Sequence, residues 1–177
     1  MSERLVPYDL GTTAVDGELD HLLGYEAKFT DFLKSATGVK TQRSGMTVKA
    51  LWVKNGIAGT VAPKMCVTWT AGSAGTVIGA LAGASEKIAG VVDPYVSGTV
   101  AQNAHFWLIV DGPCEVVTDG SETISAGSPL VVGGSGKVEL LDGTGDVTEA
   151  LAYVGQALEN PAETDNTAFR AVIHATF

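Results

Sequence analysis

The sequence predicts an all-β chain, a small β-barrel or sandwich with an extended N-terminal arm, on three observations. First, 22 glycines stand beside 45% hydrophobic and only 7% aromatic residues, a balance that suits many short strands joined by tight turns. Second, short apolar runs rich in β-branched side chains recur along the chain, each cut by Gly, Pro or Asp-Gly. Third, His105-Phe106-Trp107-Leu108-Ile109-Val110, closed by Asp111-Gly112-Pro113, reads as a strand buried on both faces. The terminal run Phe169 to Phe177 alternates in the same way.

Residues 1–45 read as an arm and residues 46–177 as the β domain. Pro7 biases Val6 toward extended backbone. Asp16 is placed to cap a short helix whose apolar face would be Leu19, Leu22, Leu23, Phe29, Phe32 and Leu33. Gly24 and Thr30 weaken that helix, so an irregular arm stands beside it as the alternative. Lys34 to Ser44 reads as a polar linker. From Met46 the chain reads as strands and turns. Thr47 to Lys54 alternates and ends at Asn55-Gly56, a hairpin signal. Thr60-Val61, Met65 to Thr70, Gly75 to Ile78 and Ile88 to Val92 follow. After the buried strand come Cys114 to Thr118, Thr123-Ile124, Leu130 to Val132, Lys137 to Leu140, Tyr153 to Leu158 and the terminal strand. This spacing of strands and turns is that of a small barrel or sandwich.

A faint repeat runs through the second part. Val61, Val67, Thr76-Val77, Gly90 and Phe106 are echoed by Ile124, Leu130, Lys137-Val138, Gly155 and Phe169, at separations of 61 to 65 residues. Two copies of one strand and turn pattern would close a barrel with approximate internal symmetry.

Eleven Lys and Arg stand against 20 Asp and Glu, for a formal charge of −9. Such a surface repels phosphate, so nucleic acid is not an expected partner. No apolar run approaches the ~18 residues that span a bilayer, and no membrane partner is expected. The opening Met1-Ser2-Glu3-Arg4 lacks a secretory pattern, which predicts synthesis in a reducing cytoplasm with Cys66 and Cys114 as unpaired buried thiols.

No catalytic set assembles from the residues. Gly133-Gly134-Ser135-Gly136-Lys137 lacks the upstream glycine and the following Ser or Thr of a phosphate loop. His21, His105 and His174 sit at no metal-ligand spacing, and the two cysteines form no CxxC. Asp142-Gly143-Thr144-Gly145-Asp146 lacks the ligands that complete a calcium loop. Asp119 and Glu122 flank a turn and read as solvated. A cysteine nucleophile would need an electropositive pocket that an acidic chain offers poorly. The expectation is a protein that is not an enzyme, with no cofactor and no metal. The candidate contact residues are apolar or aromatic groups in segments that do not readily join a core: Leu5, Val6, Tyr8, Leu10, Phe29 and Phe32 in the arm, and Tyr95 after Asp93-Pro94. They would either pack on the chain's own domain or anchor a partner.

Taken in order, Gly59 to Lys64, Lys87 to Val92, Gly98-Thr99-Val100, the buried strand with its Asp111-Gly112, Ile124 to Leu130, Gly136-Lys137-Val138 and Tyr153 to Glu159 resemble the head decoration, or cement, proteins of tailed bacteriophages. The resemblance does not cover residues 1–45. It implies a β-barrel outside the capsid shell, with the turn at Ala126 to Leu130 and the strand at Val154 to Glu159 in structural roles. The function it implies is binding to the outside of an assembled capsid, stabilising it by bridging neighbouring subunits. The partners would be the major capsid protein and copies of the chain itself, as a trimer or dimer, and the location the capsid exterior of the virion. A tail, baseplate or receptor-binding β module is the alternative.

Overall fold

The computed structural model describes residues 9–35, 37–84, 86–142, 152–162 and 164–175. The chain is all-β. Strands β1 (Thr13–Ala14), β2 (Glu26–Lys34), β3 (Lys40–Asn55), β4 (Cys66–Trp69), β5 (Val77–Leu81), β6 (Gly90–Val92), β7 (His105–Val117), β8 (Pro129–Gly134), β9 (Lys137–Leu140), β10 (Tyr153–Ala157) and β11 (Ala168–His174) make one eleven-stranded sheet. A 3-10 turn at Asp20–Leu22 is the helical element among the described residues, and no helix there is long and apolar enough to cross a membrane.

The pairings run in two rings that share β7. In the first, β3 pairs β5 in parallel, and β5–β4, β4–β6, β6–β7 and β7–β3 pair antiparallel. In the second, β7–β11, β11–β10, β10–β8 and β8–β9 pair antiparallel, and a parallel bridge from Thr118 to Val138 returns to the end of β7. The two copies thus do not jointly close one barrel, as the repeat suggested. Each forms its own ring, and the sheet as a whole stays open, with β2 at one end of its strand order.

The repeat is physical. Asn55 N–H donates to Ala104 O at 2.9 Å and Thr118 N–H to Thr167 O at 3.0 Å; Asn103 N–H donates to Asn55 O and Asn166 N–H to Thr118 O. Each residue of the first set lies 63 residues before its counterpart in the second. Asn103 and Asn166 are both left-handed, with φ of 65° and 64°, a conformation Asn tolerates well. The interiors correspond in the same way. Val53, Val61, Val67, Phe106 and Val110 fill the first ring, and Val116, Ile124, Leu130, Phe169 and Ile173 fill the second, each essentially buried. At Gly90 and Gly155 a Cβ would lie 2.4 Å from Ile109 O and 1.8 Å from Val172 O. Only glycine lets the backbones meet at these two matched crossings.

Several expectations change. The helix from Asp16 does not form. Leu22 lies in the short turn at Asp20–Leu22 with Leu19 and Leu23 flanking it, and Phe29, Phe32 and Leu33 lie in strand β2, where an irregularity between Thr30 and Phe32 turns both phenylalanines toward the body of the protein. Lys34 to Ser44 is the end of a hairpin rather than a linker, and β3 runs through residue 45 without a break. Asn55-Gly56 joins no two-strand hairpin, because β3 pairs β5 and β7 and does not pair β4. Asp111-Gly112-Pro113 does not end the buried strand: β7 continues to Val117. Pro113 is tolerated because pairing with β3 ends at Asp111, which leaves one edge of β7 without a ladder to interrupt.

Candidate functional site

Two elements lie outside the rings, a segment from Asp9 to Tyr25 and the hairpin of β2 with the first part of β3, and both cover the outer face of the first ring. That face is built from Trp52 and Trp107, fully buried and edge to face at 5.1 Å. Phe29 of β2 stands against Trp107 at 5.2 Å. Alternation along the strands explains the split. Val53 and Phe106 point into the ring, so their neighbours Trp52 and Trp107 point out and need a cover.

Polar fasteners hold the Asp9–Tyr25 segment down. Fully buried Asp93 accepts the Gly11 and Tyr95 N–H groups, the latter at 2.9 Å. Burial pushes its carboxyl up to about 6, against the pull of those two donors and of Lys34. Thr13 and Ala14 pair with Phe106 and His105. His105, also fully buried, places Nδ1 3.2 Å from Val15 O and Nε2 2.7 Å from the Asp20 carboxylate. Asp16 pairs with Lys54, and Asp9 with Lys40.

The hairpin is irregular where it leaves the ring. Thr30 faces Thr47 but Phe32 faces Gln42, so residues 43–46 bulge opposite Asp31. Asp31 is buried and accepts from Ser44 Oγ and Arg170 Nη2, each at 2.7 Å. Nearby, Glu115 takes Lys64 at 2.9 Å and Arg43 at 3.1 Å. Burial raises its pKa, but the two cations outweigh burial and leave it below the usual range. The hairpin end therefore rests on the second ring through ion pairs as well as apolar contact.

Of the contact residues expected from sequence, Leu5, Val6 and Tyr8 lie outside the described residues. Leu10 and Phe32 are buried, at 3% and 8% exposure. Phe32 stacks on Tyr95 at 5.1 Å, and the Tyr95 hydroxyl donates to Phe32 O. With Phe29 on Trp107, these four pack on the chain's own body and are not free anchors. The exposed large apolar groups at the hairpin end are others: Leu33, Val39 and Met46, at 44%, 62% and 42%. Sequence reading placed Leu33 on a helix face and passed over the other two, because their exposure follows from the bulge and the turn. His174 meets Asp111 at 2.8 Å, as a satisfied sheet-face histidine should.

Burial pushes the Cys66 thiol up to about 12 and raises Cys114 well above its usual range, which keeps both protonated. Among the described residues no group of His, Cys, Asp and Glu is arranged to hold a metal ion. The space between the hairpin, Tyr95 and Glu115 amounts to about 10 Å³, room for a single water at most. The calcium-like stretch Asp142 to Asp146 lies outside the described residues beyond Asp142.

No family model matches the chain, and no curated protein does. Among solved structures, it is similar to the N base of the head fiber gp8.5 of bacteriophage phi29. Identity is 15%, the match covers 72% of this chain and 94% of that one, and the TM-score is 0.49.

Proposed function

We propose that this chain is a virion structural protein that binds the outside of an assembled tailed-phage capsid and stabilises it by bridging neighbouring capsid subunits. The observation that carries the reading is where the cement-protein-like fragments fall. The turn at Ala126–Leu130, with left-handed Gly127, and strand β10 with Gly155 at its backbone crossing are framework positions of the second ring. Both rings are filled by side chains, and among the described residues the larger hollows are open grooves on the surface. In this reading it is not an enzyme and takes no cofactor. Its partners are the major capsid protein and copies of itself, with no nucleic acid and no membrane, and it resides on the capsid exterior.

The hairpin end is the contact element this reading favours. Leu33, Val39 and Met46 are exposed within one short stretch, and clustered exposed apolar groups suit a protein contact. A contact made only with the assembled lattice stabilises that lattice by mass action, and two contacts on one chain reinforce each other through effective concentration.

The test is to add the purified chain to phage heads assembled without it and to follow adsorption and survival on heating. Saturable binding at hundreds of copies per head, raised survival, and loss of both in a Leu33→Asp, Val39→Asp variant of unchanged melting temperature are expected. Unaltered survival with no saturable adsorption would end the reading, and a handful of copies per particle would assign the chain to the tail or baseplate instead.

A further inference from the structure

We infer that two copies of this chain associate through the outer edge of β2, antiparallel about a two-fold axis at Ala27. The starting point is the edge. β2 stands at the end of the strand order, paired with β3 on one side, and among the described residues no strand lies against the other. The backbone phase can be read from its neighbours. Trp52 N–H donates to Tyr25 O and Gly24 N–H to Trp52 O, both at 2.9 Å, so Trp52 turns its peptide groups toward β2. By alternation Ala50 and Val48 do the same, and their partners Ala27 and Phe29 face them. The N–H and C=O groups of Glu26, Lys28 and Thr30 therefore point to the open edge. All three residues are exposed. Beside Gly24 the edge runs out onto a surface groove lined by Leu51, Ala74, Gly75 and Thr76, so that end is not walled off.

An edge of this kind is a template for another strand, and natural proteins either block it or use it. The side chains say which strand fits. Two β2 strands can pair antiparallel by their outward groups in only a few registers. Glu26 opposite Glu26 sets carboxylate against carboxylate, and Lys28 opposite Lys28 sets ammonium against ammonium. With Ala27 on the axis, Glu26 of each copy faces Lys28 of the other, and the same register sets Tyr25, 46% exposed, opposite Phe29 on the other face. Opposite charges across a strand pair stabilise it and like charges disfavour it. The sequence Tyr25-Glu26-Ala27-Lys28-Phe29 is thus complementary to itself, as a closed isologous dimer requires. Among the described residues neither Glu26 nor Lys28 has a charged partner within the chain, which leaves both available.

This association does not depend on the capsid reading, since it is measured on the purified full-length chain without heads. Sedimentation over a concentration series should show a monomer to dimer equilibrium. E26K and K28E, each at an exposed site, should be monomeric at concentrations where the original chain is dimeric. An equimolar mixture of the two variants should recover the dimer mass, and the E26K/K28E chain should dimerise alone. As a second readout, Ala27→Cys should form an intermolecular disulfide on oxidation. The axial pair lies about 4.5 Å apart between Cα atoms, within disulfide reach, and both native thiols are buried. A chain that stays monomeric to its solubility limit, a trimer, or single variants that dimerise like the original would each overturn the inference.

Discussion

Asp93 offers the sharpest test of how the Asp9–Tyr25 segment is held. Its carboxyl has no exposure, and burial raises it from 3.8 to about 6. The folded chain therefore binds a proton there more readily than the unfolded chain. Stability gains as pH falls from about 6 toward 4, and the gain is lost as pH rises back through the folded value. Two units at 1.36 kcal/mol each amount to about 3 kcal/mol. Other carboxylates pull the opposite way, since Glu115 and Asp165 are held below their usual range and lose stability in acid. A comparison with Asp93→Asn cancels them. The amide oxygen can serve only one of the two N–H donors, Gly11 and Tyr95, so the variant starts less stable by a constant amount. Urea denaturation of both proteins between pH 4 and 7 should show the stability difference widening by about 2 kcal/mol on the acid side, the rest appearing only below the unfolded value. A difference that stays flat, or narrows in acid, would refute the account of a buried carboxylate seating Gly11.

Two further outcomes follow from the matched rings. Gly155→Ala would press a Cβ to 1.8 Å from Val172 O, and because the obstacle is backbone we expect a loss of about 3 kcal/mol in chemical denaturation, at the upper end for overpacking. Val53→Ala and Val116→Ala, fully buried in different core clusters, should each cost about 2 kcal/mol, with two methyl groups at roughly 0.8 kcal/mol apiece plus a cavity contribution. The double variant should be additive to about 0.5 kcal/mol, and a larger coupling would show that the two interiors are not separate.

Most strands of the repeat region were legible because they are short and bounded by turn residues, although Thr60-Val61 and Thr123-Ile124 lie outside the strands and Cys114 to Val117 continues β7. Lys137–Leu140 and Tyr153–Ala157 lie where alternation puts them, and the spacing of 61 to 65 residues marks a duplication. The N-terminal part was not legible. Leu19, Leu22, Phe29 and Phe32 fit a helical period, yet Phe29 and Phe32 are strand residues because β3 offers a ladder and Trp107 and Tyr95 offer surfaces to cover. Of the candidate contact residues, Leu10, Phe29, Phe32 and Tyr95 pack on the chain's own body for a related reason. An isolated aromatic beside Pro or Gly looks unpartnered along the chain, and Tyr95 has its partner in Phe32, 63 residues away.

What the sequence determined by itself is therefore local: strand content, the turns and the twofold repetition, all written in neighbouring residues and their periods. Tertiary structure decided how the copies close, namely that β7 serves both rings, since sharing depends on which edges lie free after each ring forms. It also decided which apolar groups face solvent. Burial is set by what packs across from a residue, and that partner lies far along the chain.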